Sequence, residues 1–427
     1  MGKIGRVAGK VDMMKVGSIP HLTLELMNDR NVLPSGFPKI FLRDKKIDAV
    51  KRFHPWIFSG AIVRMEDGIE EGDIVEVYSN SGEYLAIGFY SPHNIAVKIF
   101  SFQKITDIDR LFLERFQRAY SLRQQLGLID NPETNCYRLI NAEGDGIPGL
   151  IVDWYNGTAV IQAYSIGLHA RLDPIVSCLK TLYGDRLRAV YDKSATVLAK
   201  TARQSENQYL FGGKTTDEVL EYGNRFLVDW EEGQKTGFFL DQRENRALLG
   251  KFCEGKRVLN TFCYSGGFSV YAIRSNASLV HSVDSSREAI DLTEKNIALN
   301  NPGEIEHKSY TADVFNFLRD YAGDYDTIIL DPPAFAKSIK ARHQATMAYR
   351  RLNGQALQKL RPNGILFTFS CSQVVGEEQF TGAVTAAAIE SGRGVRVLAR
   401  LTQPADHPTS LFHPEGAYLK GLVLAID

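Results

Sequence analysis

Residues 257–268, Arg-Val-Leu-Asn-Thr-Phe-Cys-Tyr-Ser-Gly-Gly-Phe, constrain this chain more than any other stretch. Val258 and Leu259 close a short apolar strand, Ser265-Gly266-Gly267 turns, and residues 268–273 are apolar enough to be a packed helix. A strand feeding a glycine turn and a helix opens a nucleotide-binding α/β unit, because glycine lets the backbone come close to a ligand. The dinucleotide fingerprint G-x-G-x-x-G is absent, so nothing here calls for a pyrophosphate. Acids follow at successive strand ends: Asp284 after the apolar run 279–283, Asp313 after a strand near 309–311, and Asp331 after 327–330. A carboxylate at the first of these places commonly binds ribose hydroxyls, so the set fits an adenosine ligand other than a dinucleotide.

The α/β rhythm runs from Trp230 to the end. Asp241 is placed to cap a helix over 242–252. Helices over 287–299 and 379–389, a helix marked by Leu352, Ala356 and Leu360, and a strand over 365–369 ending at Ser370-Cys371-Ser372 follow. Runs 395–401 and 418–425 have no helix-length crossover between them, which predicts an antiparallel pair. The expectation for 230–427 is a mostly parallel sheet, covered on both faces, with an antiparallel last strand.

At 427 residues the chain exceeds one ordinary core. Five short apolar runs (40–42, 56–58, 74–78, 84–89 and 95–100) between glycine turns predict a small β-barrel or sandwich over 38–110. Residues 111–126 read as a connecting helix. It leads into a central α/β domain, to 229, with strands over 137–140, 150–155 and 158–164, a helix over 170–182 and a hairpin over 219–228. Glu143 and Asp145 sit in a Gly-Pro turn and read as turn residues, not metal ligands. Residues 1–37 lack periodicity and read as a poorly ordered leader or extension.

No apolar run reaches the roughly 18 residues of a membrane helix, and the N-terminus lacks a signal-peptide pattern. Five widely spaced cysteines without a C-x-x-C pair argue against a disulfide framework or zinc site and for a cytoplasmic protein. Fifty basic against 50 acidic residues decide nothing about nucleic acid, but local charge does. Seven Lys or Arg and no Asp or Glu lie between Pro332 and Gly376, directly after Asp331. Such a run focuses a polyanion onto that strand end, with Lys337, Lys340, Arg342 and Arg350 placed to meet RNA. A second basic run, 39–64, reads equally well as a solvated face.

Ligands of such sheets sit beyond the carboxyl ends of the strands, where Asp331 and Cys371 would be neighbours. The prolines of Asp331-Pro332-Pro333 each fix φ and remove an N–H, leaving carbonyls to face the cleft. Pro333 and Phe335 could then pack on a flipped base, and Asp331 could bind a ring nitrogen and amino group. A free cysteine is often just a small buried hydrophobe, but neighbouring cations would lower the Cys371 pKa. Thiol and carboxylate together suit methylation at carbon 5 of cytosine, where a thiolate added at carbon 6 activates carbon 5.

The three strand-end acids resemble the S-adenosylmethionine (SAM) site of class I methyltransferases. Trp56–Phe58 with Ser59-Gly60, Gly144 to Asp153, Lys235 to Arg243, Asp331 to Phe335, Ser370-Cys371-Ser372, Ala405-Asp406-His407-Pro408, Pro414-Glu415-Gly416 and Tyr418-Leu419-Lys420-Gly421 occur in that order. From about Pro38 onward this set resembles the bacterial large-subunit ribosomal RNA methyltransferase I family, which methylates cytosine at carbon 5. The resemblance implies a PUA-like RNA-binding domain, a central α/β domain and a C-terminal Rossmann-like SAM domain. It implies SAM against Lys235, Thr236, Phe238, Asp241, Asn260, Phe262, Tyr264, Ser265, Gly266, Asp284, Ser285, Asp313, Val314, Asp331 and Pro332. Large-subunit ribosomal RNA is the implied partner, with a homodimer as a further expectation and no membrane association. Many RNA cytosine methyltransferases carry a second cysteine where this chain has Ala334, which leaves the base for the carbon-5 proton unassigned. Two other readings stand beside this one: an exocyclic amine N-methyltransferase acting on guanine or adenine, and an RNA-binding protein whose SAM fold does not catalyse.

Overall fold

The computed structural model describes residues 36–199, 205–301, 303, 305–321 and 323–427. The stretch read as a leader lies, up to residue 35, outside the described residues. Among the described residues no helix is long and apolar enough to cross a membrane.

The first sheet holds β1 (Lys39–Leu42), β2 (Trp56–Phe58), β3 (Ile62–Met65), β4 (Ile74–Ser79), β5 (Tyr84–Tyr90) and β6 (Ile95–Ser101), in the order β2-β6-β5-β4-β1-β3. Its two edge strands, β2 and β3, are joined by the three residues Ser59–Ala61. A flat six-stranded sheet would set its edges roughly 24 Å apart, at about 4.8 Å per strand. Three residues cannot span that, so the sheet curls toward closure. β3 escaped the sequence reading because Ile62-Val63-Arg64-Met65 is largely exposed and shows no alternation.

Helix Ile108–Gln125 follows, capped by Asp107, whose carboxylate accepts from the Arg110 N–H at 2.9 Å. It buries Phe112, Phe116 and Ala119 against the central sheet. That sheet comprises β7 (Cys136–Asn141), β8 (Leu150–Tyr155), β9 (Thr158–Ala163), β10 (Ala189–Asp192) and β11 (Gln208–Phe211), in reverse chain order from β11 to β7. β10 and β11 were not expected. A separate hairpin pairs β12 (Glu218–Glu221) with β13 (Asn224–Leu227).

The last sheet carries β14 (Arg257–Thr261), β15 (Leu279–Asp284), β16 (Glu306–Thr311), β17 (Tyr325–Leu330), β18 (Leu360–Ser370), β19 (Val395–Leu401) and β20 (Lys420–Ile426). Its order is β16-β15-β14-β17-β18-β20-β19. β20 pairs antiparallel with β19, as the missing crossover predicted, and its insertion beside β18, also antiparallel, was not expected. Every other pairing in this sheet is parallel. The order reverses between β14 and β17, and a crevice opens at their carboxyl ends. One face of this sheet shares a core with the central sheet and hairpin, through Val258, Phe268 and Phe367 with Tyr155, Val160 and Phe226. The other face packs Leu259, Ile328 and Leu366 under helices Arg342–Lys359 and Glu377–Ser391.

The expected helix over 242–252 is a 3-10 turn, Leu240–Gln242, followed by helix Arg243–Gly250. Asp241 does not cap it. Its Oδ2 accepts instead from the Tyr418 hydroxyl at 2.6 Å, in the segment leading to β20.

Candidate active site

The glycine turn after β14 is held by unusual backbone. Phe262 and Tyr264 adopt φ of 54° and 47°, and Gly266, at φ 75°, starts helix Gly267–Arg274. Left-handed non-glycine residues are sparsely populated, and they persist where surrounding contacts fix them. Here Asp284 at the end of β15 supplies such a contact. Its Oδ2 accepts from the Tyr264 N–H and its Oδ1 from the Ser286 N–H, each at 3.0 Å. Each oxygen keeps a lone pair for a ribose hydroxyl. A Cβ on Gly266 would meet the Thr293 side chain at 2.8 Å, so the turn takes glycine for space as well as for φ.

The other residues expected at the cofactor divide. Lys235 and Ser285 are exposed, and Tyr264 is half-buried, its hydroxyl donating to the Gly237 carbonyl at 3.1 Å. Asp313 is exposed and caps helix Val314–Asp320 through the Asn316 N–H, while Val314 is buried in the core. Asn260 is buried and donates to Ser269 Oγ, and Ser265 is held through its carbonyl by Asn296. Two side chains are engaged by the surrounding protein. Thr236 donates to Asp153 at 2.6 Å and meets the Tyr155 hydroxyl, tying its loop to the central sheet. Phe238 is buried beneath Arg246 and against Phe226.

Register places Leu330 beside Thr368, so Asp331 and Cys371 leave neighbouring strand ends. The Cys371 sulfur lies 3.9 Å from the Pro332 carbonyl oxygen. Asp331 is half-buried, and its Oδ2 accepts from Gln242 Nε2 at 3.0 Å. Burial, and then the Asp241 charge, push Asp331 up to about 7 against that hydrogen bond. The thiol departs from the sequence expectation. Burial, then Asp331 and Asp241, push Cys371 up to about 11, with Lys235 opposing. The cations expected to lower it do not outweigh these effects. Lys337, Lys340 and Arg342 are exposed, Arg350 pairs with Glu390, and Arg361 lies 3.6 Å from Asp326. Phe335 packs on Tyr349 at 4.8 Å, whereas Pro333 is exposed at the mouth.

Gln242, Tyr418 and Lys420 reach this site without having been singled out individually. All three lie inside quoted motifs, but no local spacing assigns them partners so far away in the chain. Asp241 Oδ1 is buried without a hydrogen-bond partner among the described residues. A buried acceptor of this kind suits a cationic or donor group of a ligand. Together with Asp284 and the glycine turn, it fits SAM.

Strand order, left-handed glycine turn and strand-end acids define a class: the SAM-dependent methyltransferases. A family model of that description, S-adenosylmethionine-dependent methyltransferase, matches residues 138–424, and one for a PUA-like domain matches residues 40–102. The ribosomal RNA large subunit methyltransferase I of Aeromonas hydrophila is 40% identical over 394 residues, covering 90% of this chain and 98% of the relative. Its namesake from Escherichia coli is 37% identical over 412 residues, covering 94% and 100%. A solved structure from Streptococcus mutans, described as a SAM-dependent methyltransferase, shares the fold with a TM-score of 0.78 at 24% identity, over 91% of this chain and 99% of that one. Another with the same TM-score, 0.78, was solved in complex with SAH. The chain belongs to the ribosomal RNA large subunit methyltransferase I family.

Proposed function

We propose that this chain methylates carbon 5 of a cytosine in large-subunit ribosomal RNA, in the cytoplasm, through a covalent adduct with Cys371. The observation that carries the reading is the placement of Cys371 and Asp331 at neighbouring strand ends, with the sulfur 3.9 Å from the carbonyl of the residue after Asp331. Relatives named for ribosomal RNA methylation support the substrate class.

Asp284 and the 262–266 turn would hold the adenosine half of SAM, with Asp241 on its cationic side. SAM supplies the methyl group. A carboxyl raised to about 7 is available in its acid form near neutrality, so Asp331 can hold a proton at nitrogen 3 of the cytosine. The Cys371 thiolate bonds to carbon 6, and the electrons of the 5,6 double bond then serve carbon 5 as the nucleophile. Loss of the carbon-5 proton returns those electrons and expels the thiolate.

Cys371→Ala is expected to lower methylation of RNA at least about 10³-fold, roughly 4 kcal/mol of barrier, while SAM binding by calorimetry survives. RNA containing 5-fluorocytosine should trap wild type and Cys263→Ala as protein–RNA complexes, but not Cys371→Ala. One observation favours the amine N-methyltransferase reading instead: the free thiol is held neutral. A Cys371→Ala protein active within tenfold of wild type would establish that alternative over carbon-5 chemistry.

A further inference from the structure

We infer that Lys420 is the positioning residue of the nucleophile, the cation that favours ionisation of Cys371 once a base has neutralised Asp331. The inference rests on Cys371 being the nucleophile. Lys420 opens β20 and stands opposite Ser370 in the β18–β20 ladder. Its Nζ donates to the Ser372 carbonyl at 2.6 Å. The side chain therefore runs from the level of Ser370 to that of Ser372, past the backbone that carries the thiol. One of three ammonium donors is fixed there. The lysine is half-buried and lines a cavity of about 480 Å³, together with Trp56, Phe380 and Leu422. Glu377, Arg400 and Glu415 line it too, so the ammonium group meets both apolar and charged walls.

The titratable and charged groups around Cys371 and Lys420 come from six elements. Asp331 leaves β17, Asp241 lies in the 3-10 turn, Lys235 in the loop before it, Tyr349 in helix Arg342–Lys359, Lys420 on β20, and Glu377, which acts on Lys420, at the start of helix Glu377–Ser391. In the free protein above about pH 7, the carboxylates of Asp331, Asp241 and Glu377 face the two ammonium groups, and burial keeps the thiol neutral. A cytosine sharing a proton with Asp331 removes one negative charge, the one acting most strongly on the thiol, which leaves the two cations facing Asp241 and Glu377. The S–H bond then breaks with its electron pair left on sulfur. The proton passes to solvent, which the partly exposed thiol reaches, and the pair forms the bond to carbon 6. A nucleophile ionised by its own substrate is protected from stray electrophiles at other times.

The test is alkylation of Cys371 by iodoacetamide across pH in the full chain, with each cysteine followed by peptide mass spectrometry. Lys420→Met should raise the midpoint by about one pH unit, or about tenfold slower alkylation at pH 8. Lys420→Arg should restore the rate to within threefold of wild type. Asp331→Asn should speed alkylation at pH 8 without RNA, at least threefold, and it probes the same field without altering the lysine. A Lys420→Met rate within threefold of wild type overturns the inference. So does an arginine variant no faster than the methionine one, which would make the effect one of packing, and so does an Asp331→Asn rate equal to wild type. No arm reads methylation, so failure of the carbon-5 assignment, diagnosed by an active Cys371→Ala, is distinguishable from failure of the lysine's role.

Discussion

At Asp331 the burial that pushes the carboxyl up to about 7 acts on stability as well as on chemistry. Its folded-state value exceeds the unfolded value of about 4. Between those two pH values the folded chain holds the extra proton, so stability declines as pH rises through the window and levels off above about 7. Asp331→Asn does not titrate. It is expected to gain about 1–2 kcal/mol over wild type at pH 8, after discounting for solvent at a half-buried group, and little at pH 4.5. Urea unfolding at the two pH values checks this, and an equal gain at both would show that the carboxyl is not desolvated. Cys371 teaches the complementary lesson. Its position was legible from Ser370-Cys371-Ser372 at a strand end, but its protonation state was not, because burial, and then the Asp331 and Asp241 charges, act on it through packing.

At the scale of elements, helix Arg342–Lys359 decides what the acid-free run can do. Its 18 residues rise about 27 Å, carrying the run from the carboxyl ends of the strands to their amino ends. Lys359 there donates to the Tyr321 carbonyl and Arg361 approaches Asp326, so neither serves the cleft. Arg350, midway, is engaged by Glu390 of the next helix. Charge reversal at Lys337, Lys340 and Arg342 should therefore lower the log–log salt slope of RNA binding by about 2–3, while Arg361→Glu leaves it unchanged. Filter binding from low to moderate salt measures both. Equal slopes in the triple variant and wild type would make the run a solvated surface. Charge content was readable from the residues, and its division between two ends of a sheet was not.

Across the whole molecule, the Ala405–Pro408 segment fastens the last sheet to the central one. Asp406 is buried and accepts from Arg243 at 2.8 and 3.1 Å and from the Arg138 N–H at 3.0 Å. Its carbonyl accepts from Arg123, which is paired with Asp145. Although burial alone would raise it, His407 and Arg243 hold the Asp406 carboxyl well below the usual carboxylate range. A Cβ on Gly144 would overlap the Pro408 carbonyl, so that turn needs glycine for close approach. Asp406→Ala leaves the buried Arg243 guanidinium and the Arg138 backbone N–H short of an acceptor and is expected to cost about 3–5 kcal/mol. Chemical denaturation followed by tryptophan fluorescence reads the loss. An unchanged midpoint would mean that the shared core alone holds the sheets together.

Local chemistry in the sequence determined the β14 strand, its glycine turn, the acid that ends β15 and the antiparallel pairing of β20 with β19. Each depends on backbone permissiveness, apolar runs or connection length within a few tens of residues. The same rules placed Asp331 and Cys371 at adjacent strand ends, since parallel strands around a helical crossover become neighbours. Tertiary structure decided which of these groups carry charge and where their partners lie. β10 and β11, too short for any periodicity, also became strands only by pairing with the sheet. Thr236 faces Asp153, Asp241 meets Tyr418, and Lys420 spans the nucleophile's backbone because packing brings distant segments together. Electrostatic energy varies with distance and burial, and neither is encoded in the spacing of residues along the chain.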